Sequence, residues 1–138
     1  MDEKHISYKS GYKYQLSIPY VCYVEIYPEK VIETNYIVLT TEGKLIIYTG
    51  YAWDGPSGPT IDTKTFMRGS LIHDALYQLL REGFLSYKYR EQADKELKKA
   101  CIEDGMCKIR AWYVYKAVRK FAKSCADKDN VKPLLIAP

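Results

Sequence analysis

The chain has 138 residues and a mass of 16.0 kDa, the length of one ordinary domain able to bury a single core. Hydrophobic residues make up 47% and charged residues 28%, which excludes a disordered chain, and no apolar run reaches the length of a membrane span. A formal net charge of +4, from 21 Lys and Arg against 17 Asp and Glu, leans toward anionic partners but is too thin for a dedicated duplex-binding protein; a small, nucleotide-like anion fits it better.

The N-terminal MDEKHISYKS is polar and lacks the apolar core of a leader peptide. Cys22, Cys101, Cys107 and Cys125 form no C-x-x-C pair, which excludes a zinc ribbon and a thioredoxin-like motif. All four are expected to be reduced, buried and used as small hydrophobes. The expectation is a cytoplasmic, disulfide-free protein without a membrane segment, folding alone or as a simple homo-oligomer.

From about residue 10 to 50 the chain is β-rich, with the runs YKYQLSI, YVCYVEI, NYIVLT and KLIIYTG dominated by Val, Ile, Thr and Tyr and punctuated by Pro19, Pro28 and Gly43. Much of the unusual content of 14 tyrosines fits such a sheet. Thr41-Glu42-Gly43-Lys44 reads as a hairpin connection in which Gly43 takes a positive φ. Residues 51–63, YAWDGPSGPTIDT, are broken by Gly and Pro and read as a polar central loop. Leu71, Ile72, Ala75, Leu76, Leu79 and Leu80 recur at helical spacing and predict a helix to Arg81, stopped by Gly83. Ser86 is placed to cap a second helix running to about Glu103, where Gly105 breaks it. A third helix is expected over about 107–125, with Ala111, Val114, Tyr115, Val118, Ala122 and Cys125 apolar and Lys116, Arg119, Lys120 and Lys123 on a basic outer face. The tail, 126–138, holds Pro133 and is not a strong helix. The fold class is therefore α+β, a small N-terminal antiparallel β-sheet followed by three C-terminal helices over 64–125, within a single domain spanning 1–138.

The polar residues concentrate around His73-Asp74. A turn of about 100° per residue puts His73 and Tyr77 on one edge of the apolar arc and sends Asp74 to another side. His73 there can bind a metal, act as acid or base near neutral pH, or serve as a structural imidazole. On the second helix Arg90, Ala93, Asp94, Leu97 and Cys101 share one face, which puts a charged pair within an apolar stripe. Such a pair is either a marginal surface ion pair or a buried one that marks a site. In the loop, Asp54 and Asp62 accompany Gly55 and Gly58, which permit close backbone approach to a ligand but also form ordinary turns. Trp53 and Tyr51 can stack on a planar ligand or seal the core.

Over roughly residues 50 to 121 the sequence resembles a family of small, mostly phage-encoded proteins known only as a domain of unknown function. The resemblance is carried by the loop Tyr51-Ala52-Trp53-Asp54-Gly55-Pro56-Ser57-Gly58-Pro59, by His73-Asp74-Ala75-Leu76-Tyr77 and by Arg90 with Asp94, followed by a helix with Trp112 and Tyr115. The family commonly has Gly where Tyr51 stands, a difference in turn tightness. The resemblance implies that Asp54, Ser57, His73, Asp74, Tyr77, Arg90 and Asp94 form one constellation. It also implies action inside an infected bacterium.

Three functions fit these residues. In the first, His73, Asp74 and Asp54 are catalytic and His73 with Asp74 holds a divalent ion that activates water against a phosphodiester. With His5 the only other histidine, such a site is carboxylate-rich and suited to magnesium or manganese. In the second, Trp53, Ser57, Tyr77, Arg90 and Asp94 bind a phosphate-bearing small molecule, such as a nucleotide immune signal, and sequester it as a counter-defence. In the third, the motif is a structural network in a virion or lysis accessory protein.

Overall fold

The structure, a computed structural model, describes residues 8–9, 14–53 and 64–121. The loop carboxylates Asp54 and Asp62, Ser57, the expected end of the third helix at Ala122 to Cys125 and the tail fall outside the described residues. The described residues gather into two compact units, one of strands up to position 53 and one of helices from position 64. The fold is α+β, with antiparallel sheets preceding three helices.

The strands form two sheets where one was expected. A three-stranded sheet has the order β1-β2-β7, with β1 Tyr8–Lys9, β2 Tyr14–Leu16 and β7 Ala52–Trp53. A four-stranded sheet has the order β3-β6-β5-β4, with β3 Tyr20–Tyr23, β4 Ile32–Glu33, β5 Ile37–Leu39 and β6 Lys44–Ile47. Pro19 explains the division: it has no backbone donor and stands between β2 and β3, so the ladder cannot continue through it. The expected loop also begins later than its first residues. Tyr51 accepts from the Leu16 amide at 2.8 Å, and Trp53 pairs with Tyr14, so Ala52 and Trp53 belong to a strand.

The four-stranded sheet is in register for burial. Cys22 faces Leu45, Leu45 faces Leu39 and Leu39 faces Ile32, giving a buried row that crosses all four strands. Tyr20, Ile47 and Ile37 form a second buried row. Each cross-strand pair adds about 0.2–1 kcal/mol over an alanine pair, and the alternation along β3, β5 and β6 keeps these rows on one face. The β5–β6 hairpin closes as expected, the Gly43 amide donating to the Thr40 carbonyl at 3.1 Å. Gly43 has φ +88°, and a Cβ there would stand 2.3 Å from the Val24 carbonyl oxygen, so no other residue fits.

In the helical unit, α1 spans Lys64–Arg81, α2 spans Arg90–Glu103 and α3 spans Lys108–Phe121. Gly83 and Gly105 terminate α1 and α2 as expected, the Phe84 amide donating to Leu79 at 3.0 Å and the Met106 amide to Cys101 at 2.9 Å. Ser86 caps a 3₁₀ turn at Tyr87–Tyr89 that leads into α2, one step earlier than the expected α-helical cap. α1 is more than amphipathic: 14 of its 18 residues are buried, Arg68, Ser70, His73 and Gln78 among them.

α1 and α2 run antiparallel. Arg68, near the start of α1, donates through Nη2 to Glu103 at 2.7 Å and through Nε to Asp104 at 3.0 Å, at the end of α2. Between the helix ends Gly69 meets Leu97 and Cys101 closely; a Cβ at Gly69 would come within 2.9 Å of Leu97 Cδ1 and 3.1 Å of Cys101 Sγ. Beyond it Leu97, Cys101, Met106 and Ala111 form a core that Phe66, Ile102, Val114 and Val118 cover. Burial, then the charge of Asp104, pushes the Cys101 thiol up to about 12, so this cysteine is inert as expected. Cys22 is likewise buried, but Cys107 is exposed, because it sits in the connection that begins α3 and no element covers it.

The Gly69 contact gives a direct test of this packing. Gly69→Ala adds a methyl group where two side chains must move, and an overpacked helix contact costs about 1–3 kcal/mol. Urea unfolding should show that loss, and a wild-type midpoint in Gly69→Ala would refute the close approach.

Candidate functional site

The helical unit has a polar centre at Asp94, whose side chain is 0% exposed. Asp94 stands on α2 between Ala93 and Leu97, both buried, so helical spacing alone turns it inward. His73 and Tyr77 lie one turn apart on α1 with ring centroids 4.1 Å apart, and both reach the same carboxylate oxygen. His73 Nε2 is 2.7 Å from Asp94 Oδ1, and the Tyr77 hydroxyl donates to Oδ1 at 2.6 Å. The other oxygen, Oδ2, accepts from Arg119 Nη1 on α3 at 2.8 Å. A single carboxylate thus receives donors from two other helices.

Arg90 completes the network from the first turn of α2. Its Nε donates to the Tyr77 hydroxyl at 3.2 Å, so that hydroxyl accepts from arginine while donating to Asp94. Its Nη2 donates to the carbonyls of Arg119 at 2.6 Å and Val118 at 3.3 Å, in the last turn of α3. Carbonyls toward the C-terminal side of a helix carry the negative side of its dipole, which favours a guanidinium there. The buried charged pair on α2 is therefore joined through Tyr77, and each member also fastens α3.

These contacts set the protonation states. Burial opposes ionisation of Asp94, but the hydrogen bonds from His73 and Tyr77, the charge of His73 and the bond from Arg119 outweigh it and hold the carboxyl below its ordinary value. An ionised carboxylate only accepts, so Nε2 of His73 carries the proton. Tyr77 is pushed far above its usual range, by burial first and then by the Asp94 hydrogen bond and charge, and remains a donor.

The residues expected to carry function divide as follows. His73, Tyr77, Arg90 and Asp94 meet in one network. Asp74 is half-buried one residue along α1, turned about 100° from His73. Asp54 and Ser57 lie outside the described residues. Trp53 is 2% exposed, on β7, with its ring 5.7 Å from that of Tyr14 and 6.4 Å from that of Tyr51. That closes its ring to solvent.

Donor chemistry bears on the divalent ion. Both oxygens of Asp94 accept from protein donors, one of them a guanidinium, and His73 Nε2 is directed at that carboxylate. Among the described residues no three His, Cys, Asp or Glu side chains stand together as a metal site. Asp54, the further carboxylate expected at such a site, lies outside the described residues.

Sequence reasoning missed Arg119 and Arg68. Arg119 was assigned to the outer basic face of α3, but it follows Tyr115 by one turn and enters the α2 side to reach Asp94. Its signal was that spacing, hidden among Lys116, Lys120 and Lys123. Arg68 had no local signal, because its partners are 35 and 36 positions away.

No protein-family model matches the chain, and neither a curated protein nor a solved structure matches it. The resemblance to the phage-encoded family rests on the motif residues.

Two measurements follow. Folding lowers the Asp94 pKa, so its contribution to stability is complete above the unfolded carboxylate value of about 3.9 and is lost as pH falls through the lower folded value. Asp94→Asn should cost about 1.5–3 kcal/mol near neutral pH, and urea melts should show that gap closing in acid; a gap constant with pH would contradict the ionised, buried carboxylate. Separately, the side-chain amide of Gln78 is buried with no partner for either polar atom among the described residues. An orphaned buried group costs about 1–3 kcal/mol, so Gln78→Met should raise the melting temperature; a lower one would place a bound water or protein partner at that amide.

Proposed function

We propose that the His-Asp-x-x-Tyr and Arg-x-x-x-Asp motifs form a structural clasp, and that the protein is a non-catalytic accessory protein that acts by binding an anionic, phosphate-bearing partner inside an infected bacterium. One observation carries the reading: both Asp94 oxygens are taken by donors from the protein, and Arg90 is engaged on Tyr77 and on α3. Both oxygens of Asp94 and the Nε and Nη2 of Arg90 are thus engaged within the fold, which suits a structural role. The phage setting is supported by the motif residues, and binding of anions by the net charge of +4. No described helix is long and apolar enough to cross a membrane.

A second reading has one observation in its favour. The His73 side chain is 9% exposed, its Nε2 is fixed by Asp94, and its Nδ1 has no hydrogen-bond partner among the described residues. An imidazole oriented by a carboxylate with a free second nitrogen has the form of a general base. In that reading His73 would draw a proton from water attacking a phosphodiester.

One experiment separates them. Wild type and His73→Ala are melted, then incubated with cyclic dinucleotides and adenosine-diphosphate-ribose derivatives, with and without EDTA. The clasp reading expects His73→Ala to lose about 1.5–3 kcal/mol, the worth of a hydrogen bond to a charged group, and every compound to be recovered intact. Product formed by wild type and lost in a folded His73→Ala would establish the second reading and overturn the first.

A further inference from the structure

The clasp leaves the outer side of the α2–α3 pair without an assigned role, and that side has a distinct composition. α3, KIRAWYVYKAVRKF, carries five basic residues and no acidic one. Its outward rings are displayed: Tyr113 is 64% and Trp112 46% exposed, in edge-on contact with centroids 5.1 Å apart. Lys116 Nζ stands 5.7 Å from the Trp112 ring centroid, and Lys98 Nζ on α2 stands 5.5 Å from that of Tyr115. On the side of α3 that carries Tyr115 lies a groove of about 480 Å³, lined by Lys95, Lys98, Lys99, Ile102 and Glu103 of α2 and by Tyr115.

The charge of this surface is only partly compensated. Glu103 is turned to Arg68, and Glu91 accepts from the Tyr115 hydroxyl at 3.3 Å and lies 3.8 Å from Lys95. Among the described residues Lys98, Lys99 and Lys116 have no carboxylate partner. A second copy of the chain does not suit the surface, because a two-fold contact would bring Lys98, Lys99 and Lys116 against the same cations of the other copy. A small ligand suits it little better, since one helix supplies all but one of the lining residues and the trough cannot enclose a molecule on every side. A helix seated in a bilayer separates its cations from its apolar face, whereas Lys116 here lies against the exposed tryptophan. Cations interleaved with exposed rings along an open track are what a flexible polyanion with free base faces requires: ammonium groups for phosphates and rings for bases.

We infer that the α2–α3 face binds single-stranded nucleic acid, with Lys98, Lys99 and Lys116 on the phosphates and Trp112 stacking on a base. This names the partner of the non-catalytic reading above and rests on that reading only in that the strand is held and not cut. The contacts are independent of sequence, because backbone charge and ring faces are common to every strand.

The test uses the full chain and a fluorescein-labelled oligothymidine of about 16 nucleotides, the upper range of a single binding module. Anisotropy should rise on titration at low salt, and affinity should fall as salt increases, by about 0.7 logarithmic units per logarithmic unit of salt for each phosphate engaged. Lys98→Ala with Lys99→Ala should weaken binding at least tenfold and flatten that slope. The strand should quench Trp112 fluorescence in wild type, and Trp112→Phe should abolish the quench, since the other tryptophan, Trp53, is buried. All substituted side chains are at least partly exposed and outside the clasp, and thermal melts check that each variant folds. The inference fails if the strand does not bind, if both variants bind as wild type, if the matching duplex binds more tightly, or if vesicles of anionic phospholipid or ATP bind and the strand does not. The recovered strand is sized after incubation with magnesium and with EDTA. Cleavage would overturn the non-catalytic reading and leave the binding result standing, which keeps the two failures apart.

Discussion

A carboxylate with no access to water must find its donors inside the protein, and Asp94 sets the arrangement of the helical unit through that requirement. Each hydrogen bond to such a charge contributes about 1.5–3 kcal/mol. Its three donors come from α1 and α3, so those helices must approach α2 in one register for Asp94 to be satisfied. Apolar packing alone would permit sliding by a turn; ionic and hydrogen-bond geometry at one oxygen pair does not. Arg90 extends the same constraint, because its reach to Tyr77 and to the Arg119 carbonyl fixes how this part of α3 lies against α2.

The α1–α2 hairpin is held at both ends by different means. At one end stands the Asp94 clasp; at the other Arg68 binds two carboxylates of which Glu103 is partly solvated. Between them the contact is apolar and close, with Gly69 against Leu97 and Cys101. Polar groups thus define alignment and apolar groups supply the contact, a division that lets α1 be buried on nearly every face while carrying an arginine, a histidine and a glutamine.

Much of this was legible in the sequence because it depends on local spacing. Alternation in YVCYVEI and KLIIYTG marks β3 and β6, leucine spacing marks α1, and Gly43, Gly83 and Gly105 mark the turns that the structure contains. That Arg90 and Asp94 share a face with Leu97 also follows from helical geometry, and so does the neighbourhood of His73 and Tyr77. What could not be read is partnership across long separations. Pro19 is visible as a break, but that the strands on its two sides join different sheets, and that Trp53 returns to Tyr14, leaves no local trace. Arg119 sits among basic residues that look alike, and only the position of α2 distinguishes the one that turns inward.

Cys101 lies beneath the close contact of α1 and α2, buried and with its thiol held in the protonated form. Its sulfur is therefore invisible to alkylating agents as long as the hairpin stays shut. Each opening event, local or global, exposes a thiol that water and bulk pH return to ordinary reactivity. The residue behaves as a built-in recorder: its labelling rate reads how often the two clasped helices part, on a timescale far slower than side-chain motion and without any probe being added to the chain.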